Sequence, residues 1–169
     1  MSGWIAGNLP DLRARERFLC MAASAAPDLD GLGILFSPDL YWEWHHVACH
    51  NLLFGLVLSG ILARPSVRPW RVFGIYLACF HLHLVMDFWG SGPGWVIYYF
   101  WPFSRMWFGT SHSWYLNSWQ NMVAGSACVA WTLKIALKQG RTPMEWVAPR
   151  WDAKVMEGIR RLRGRIVRA

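Results

Sequence analysis

Three groups of histidine and aspartate stand out against an otherwise oily sequence. Asp28 and Asp30 follow Pro27. His45, His46 and His50 follow an aromatic stretch. His83 and Asp87 lie near the end of an apolar run that starts at Trp70. On a helix, a spacing of four places His83 and Asp87 one above the other on one face. His81, two residues before His83, is rotated about 200° away and points elsewhere. Imidazoles and carboxylates in apolar surroundings are costly to bury unless a partner, a cavity or a metal compensates them. A mixed set of His and carboxylate donors without Cys suits zinc, manganese or iron. With this many donors the set can hold one ion or two. A two-metal site stabilises both attacking and leaving oxygens, which suits phosphoester hydrolysis. A single His–Asp pair would only lock two helices together, but the second cluster at 28–50 weakens that simpler reading.

Other chemistries fit poorly. The chain has no GxSxG, no P-loop and no dinucleotide fingerprint. Cys49 and His50 are adjacent, so on a helix they face different directions. His46 and His50 are four apart and share a face. His45 and His50 are five apart, about 140° round a helix, unless the helix starts near Val47 and leaves His45 outside it. The four cysteines (20, 49, 79 and 128) are far apart, form no CxxC, and read as free thiols packed as small hydrophobes.

The elements that must position these groups read as membrane helices. The chain is 54% hydrophobic and 16% aromatic, with 13 Trp and only 16% charged residues among 169; a soluble domain carries about a quarter. Phe18–Ala26 is a small-residue helix broken at Pro27–Gly31. Phe36–Trp44 reads as an aromatic interfacial loop, His45–Ala63 as the next helix, and Trp70–Trp89 as the one carrying His83 and Asp87. Trp95–Phe108 reads as re-entrant or interfacial, and Ser118–Leu137 as the last span. The fold expected is therefore all-α: a helical integral membrane protein with about four spanning helices plus re-entrant or interfacial segments. Residues 1–140 form the membrane-embedded domain and 141–169 a basic tail, in which Val155, Ile159, Leu162 and Ile166 recur at helical spacing and suit an anionic leaflet.

The net charge of +7 does not point to nucleic acid, because of how it is distributed. Of the 17 Lys and Arg, all but Arg105 fall in Arg13–Arg17, in Arg64–Arg71, or from Lys134 onward. The positive-inside rule puts those three regions, and both termini, on the cytoplasmic side. The intervening segments then alternate, and Asp28, Asp30, His45, His50, His83 and Asp87 all fall toward the outer ends of their segments.

The order Pro27-Asp28-Leu29-Asp30, His45-His46-Val47-Ala48-Cys49-His50-Asn51, His83-Leu84-Val85-Met86-Asp87, then Gly90 and Pro102-Phe103-Ser104, resembles the LexA-regulated inner-membrane metal-dependent hydrolase family. That family shows PDxD, HRGxTHS, HxxxD and a G…PFS segment. The resemblance covers roughly residues 18–104 and extends distantly to zinc-dependent phospholipase C. It implies an inner-membrane hydrolase acting through metal-activated water on a phosphoester or phospholipid-type substrate. The implied cofactor is one or two divalent ions, zinc first. The metal ligands implied are Asp28, Asp30, His45, His50, His83 and Asp87, with Asp28 or His50 as catalytic base. His46, Val47, Cys49 and Asn51 stand where the family has Arg, Gly, Thr and Ser. Family members open with a His-bearing helix, whereas no His precedes His45, so residues 1–10 read as the remnant of that helix; His112 is a distant substitute. Two other readings compete: a haem-binding electron carrier with axial His from two helices, and a catalytically inactive scaffold.

Overall fold

The computed structural model describes residues 1–166, with side chains as far as residue 161. Arg168 and the other residues beyond 166 lie outside the described residues, as do the side chains of Leu162 and Ile166. The elements in order are α1 (Ser2–Gly7), α2 (Ala14–Ala25) running into a 3-10 helix (Ala26–Leu35), α3 (Pro38–Trp44), α4 (Leu52–Ala63), α5 (Pro69–Gly90), α6 (Trp119–Gln139) and α7 (Pro149–Ile166). Among the described residues there is no strand, only an isolated antiparallel bridge between Ile97 and Phe108.

Local chemistry explains the boundaries. Glu16 accepts the Arg13 backbone N–H at 2.9 Å and closes the first turn of α2. Pro27 cannot donate to an α-helical turn, and there the helix tightens into the 3-10 segment that carries Asp28 and Asp30. Ser37 accepts the Leu40 N–H at 3.1 Å, and Pro38 supplies the first helical position. The expected aromatic loop at 36–44 is therefore mostly helix. Asn51 caps α4, accepting the Phe54 N–H at 2.9 Å. That helix starts at Leu52 rather than at His45, so the His45–His50 stretch is a loop.

Helices α2 and α5 run parallel. Leu12, just before α2, and Val72, early in α5, share a core with Cys20, Ala23, Tyr76 and Cys79, and farther along Asp28 meets His83. All four cysteines are free. Helix α4 returns against α5, with Gly55 so close to the Phe80 ring that a Cβ would lie 2.7 Å from it. Helix α6 also returns: Asn121 donates to the Gly90 carbonyl at 2.8 Å near its start, and just past its end Arg141 donates to Asn8 Oδ1 at 3.0 Å.

Four helices thus alternate in direction, but only two are long and apolar enough to cross a bilayer: Ala14–Leu35 and Pro69–Gly90, 22 residues each. The expectation of four such spans is corrected. Helix α4 is apolar but has 12 residues, about 18 Å against a hydrocarbon core of about 30 Å. Helix α6 has 21 residues but carries Gln120, Asn121, Lys134, Lys138 and Gln139. Broad apolar surface remains uncovered, including Trp70, Val57, Ile61, Trp119, Val123 and Trp131, as lipid contact requires.

At the end of the bundle opposite Asp28 and His83, Arg17 is 6% exposed. It makes two hydrogen bonds to Glu145, Nε to Oε1 at 2.7 Å and Nη2 to Oε2 at 2.6 Å, and another to the Leu12 carbonyl. Trp4, fully buried, adds its indole N–H to Glu145 at 3.3 Å. Arg17, one of the basic residues of the Arg13–Arg17 region, is therefore a buried anchor. Burial by itself raises the Glu145 carboxyl, but the hydrogen bond and charge of Arg17 outweigh it and hold the group below its ordinary value.

Candidate metal centre

Three elements meet at one end of the bundle: the 3-10 helix with Asp28 and Asp30, the 45–50 loop with three histidines, and the last turns of α5 with His83 and Asp87. The loop is shaped by its own residues. His46 adopts the left-handed conformation (φ 68°), which turns the chain so that His45, His46 and His50 crowd together, with ring centroids 4.4–5.4 Å apart. Asn51, 1% exposed, braces the loop by donating to the carbonyls of Val47 and Ala48 at 2.9 and 2.8 Å. His45 stacks on Tyr41 of α3 at 4.7 Å. Its ring lies 3.3 Å from where a Cβ on Gly31 would sit, so the glycine lets the 3-10 backbone approach closely.

Asp30 is fully engaged. Its Oδ1 accepts His45 Nδ1–H at 2.8 Å, and its Oδ2 accepts His50 Nδ1–H and the Cys49 backbone N–H, each at 3.0 Å. This fixes the tautomer of both imidazoles and frees their Nε2 atoms for other duty, the carboxylate–histidine arrangement that orients metal ligands. Asp30, which the resemblance implies as a ligand, here meets the Nδ1 atoms of His45 and His50.

The other carboxylate, Asp87, is ringed by imidazoles. Its Oδ2 lies 3.0 Å from His50 Nε2, 3.0 Å from His83 Nε2 and 3.6 Å from His46 Nε2. Asp28 Oδ1 lies 3.4 Å from His83 Nε2. Asp28, His50, His83 and Asp87 each offer a donor atom within 4.8 Å of the others, as do Asp30, His45 and His50. Two observations bear on whether a cation fits. His83 Nε2 is buried and close to two carboxylates, yet has no hydrogen bond. His50 faces a carboxylate with both ring nitrogens, although a neutral imidazole carries one N–H. A cation among these atoms satisfies both. Without it, His50 needs a second proton: burial opposes this, but Asp30 and Asp87 outweigh burial and raise its pKa. Burial, with His50 alongside, pushes His46 down to about 4.

All six residues singled out from the sequence come together here. His46 joins them, as its spacing of four from His50 suggests, although the two meet through the turn of a loop and not on a helix face. His81 stays apart. Its Nδ1–H donates to the Leu77 carbonyl and its Nε2 accepts from the Tyr99 hydroxyl, both at 2.8 Å. His112 is exposed beside Thr110 and takes no part.

A family model described as YdjM inner membrane protein matches residues 2–151. No curated protein and no solved structure matches the chain.

Proposed function

The chain belongs to the YdjM inner membrane protein family, and within that membrane setting we propose that it is a hydrolase that uses a divalent metal, zinc first, to cleave a phosphoester. The observation that carries this is the buried His83 Nε2, held between Asp28 and Asp87 with no hydrogen bond of its own. Asp28, His50, His83 and Asp87 would hold the ion, with His46 beside them. When bound, the ion supplies a Lewis acid that activates water and a phosphoryl oxygen. Asp30 orients His45 and His50. Asp28 has 61% of its side chain exposed, against 18% for Asp87; it is the carboxylate placed to take a proton from water arriving from outside. His50, buried and engaged on both sides, suits holding the ion better than shuttling protons.

A haem reading accounts for the histidines but not for the carboxylate against each of them. The deciding experiment is elemental analysis of detergent-purified protein, paired with hydrolysis of bis-p-nitrophenyl phosphate. Stoichiometric metal, with turnover lost in His83→Ala, supports the hydrolase. A Soret band supports haem. A folded protein with neither metal nor turnover is a scaffold.

A further inference from the structure

Beside the metal ligands lies a cavity of about 650 Å³. It opens between α3 and the 93–105 segment. Its walls include Trp42, Trp44, Trp95 and Trp101, and its charged groups are Glu43 and Arg105. His45 lines it as well, and the Trp95 ring is 5.5 Å from His45, 4.9 Å from His46 and stacked on Trp42 at 5.1 Å. Trp44 and Trp101 meet nearly at right angles, 85°, with centroids 6.3 Å apart. Trp42 and Trp44 are exposed on a helix with no buried residue. Neither Glu43 nor Arg105 forms an ion pair among the described residues, and Arg105 is the one basic residue outside the three basic regions.

Indole faces attract cations, quaternary ammonium above all, and a nearby carboxylate adds to that attraction. A primary ammonium brings three N–H donors that need acceptors, and Glu43 is the single carboxylate lining the cavity; a quaternary ammonium needs none. Arg105 suits a phosphate oxygen. A basic group for phosphate, an aromatic corner with a carboxylate for the ammonium, and the His45 imidazole in the lining match one ligand type. We propose that this cavity is a headgroup subsite for a phosphocholine unit, a phosphate ester whose alcohol carries a quaternary ammonium. What happens to the bound ester rests on the hydrolase reading; the binding does not.

The test is calorimetric titration of the full chain in maltoside detergent, as purified and after chelation, with metal content measured in the same samples. Glycerophosphocholine and dihexanoyl phosphatidylcholine are the choline probes; phosphoethanolamine and inorganic phosphate are the counter-probes. The choline probes should bind about tenfold more tightly than either counter-probe, and Glu43→Gln or Trp101→Leu should each weaken them about tenfold while leaving phosphate unchanged. Arg105→Gln should weaken both choline probes and phosphate. Equal binding of the two choline probes indicates a soluble ester, and preference for the short-chain lipid indicates a membrane lipid; both support the proposal. Equal affinity for phosphoethanolamine, no effect of Glu43→Gln, or no choline binding in metal-bearing protein overturns it. Choline binding by protein that carries no metal as purified leaves it standing and removes the hydrolase reading instead.

Discussion

Asp30 and His50 form a contact hidden from solvent: His50 Nδ1–H donates to Asp30 Oδ2 at 3.0 Å, with side chains 0% and 1% exposed. Its consequence is that His50 Nε2 faces Asp87. Asp30→Asn should therefore lower metal affinity about 10- to 100-fold without abolishing binding, as for carboxylates that orient ligand histidines. Competition with a chelating dye would measure it. Loss as complete as in Asp87→Ala would make Asp30 a ligand.

His83→Ala and Asp87→Ala should each remove the metal and lower the thermal midpoint in the same preparation, because metal binding couples to folding. His81→Ala should keep full metal content, since both its ring nitrogens are spent on Leu77 and Tyr99. Elemental analysis of the three variants, run with melting curves, separates them; equal metal in all three ends the metal reading.

Asn51 holds the histidine loop through two donated hydrogen bonds and caps α4 with a third. Asn51→Ser should keep the cap and lose the brace, whereas Asn51→Ala loses both. The alanine variant should cost about 1–3 kcal/mol, from the lost cap and from buried carbonyls left unpaired. Denaturant unfolding in detergent should rank wild type above serine above alanine; equal midpoints would exclude the bracing role.

The Arg17–Glu145 pair sets a pH window. Glu145 titrates below its ordinary value of 4.5 in the folded chain. Its contribution is thus present above about pH 4.5 and lost as pH falls through the folded value. Glu145→Ala, which strands a buried Arg17, should cost about 3–5 kcal/mol at neutral pH. The gap between wild type and variant should narrow on acidification. A gap independent of pH down to 3 would contradict the pairing.

The alternating helices and the basic residues together predict that the metal end faces away from the cytoplasm. A single cysteine placed at 112 should react with an impermeant maleimide added to intact cells, and one at 68 should not. The reverse pattern would turn the site to the cytoplasmic face.

The aspartates and histidines were legible because their spacing and order are local and they stand in apolar runs. How the site is divided was not, because nothing in Pro27–Asp30 says which carboxylate will meet Nδ1 atoms and which Nε2. The helix at 38–44 was readable in principle from Ser37-Pro38, a cap followed by a first-turn proline, but its aromatic content masked that signal. Arg17 could not be recognised as buried, since Glu145 is 128 residues away. The span count came out too high because apolar blocks were extended into flanks; the cap at Asn51 shortens α4, and the polar residues of α6 were discounted.

His50 and Asp87 are 37 residues apart in the chain, and between them lie all of α4 and most of α5. An ion shared by these two residues and Asp28 would be a cross-link in all but covalency: it would tie the 3-10 extension of α2, the histidine loop and α5 at a single knot. Helices already confined to a bilayer come apart by drifting sideways, and such a knot at one end leaves them free only to splay at the other, where Arg17 and Glu145 form the second clasp.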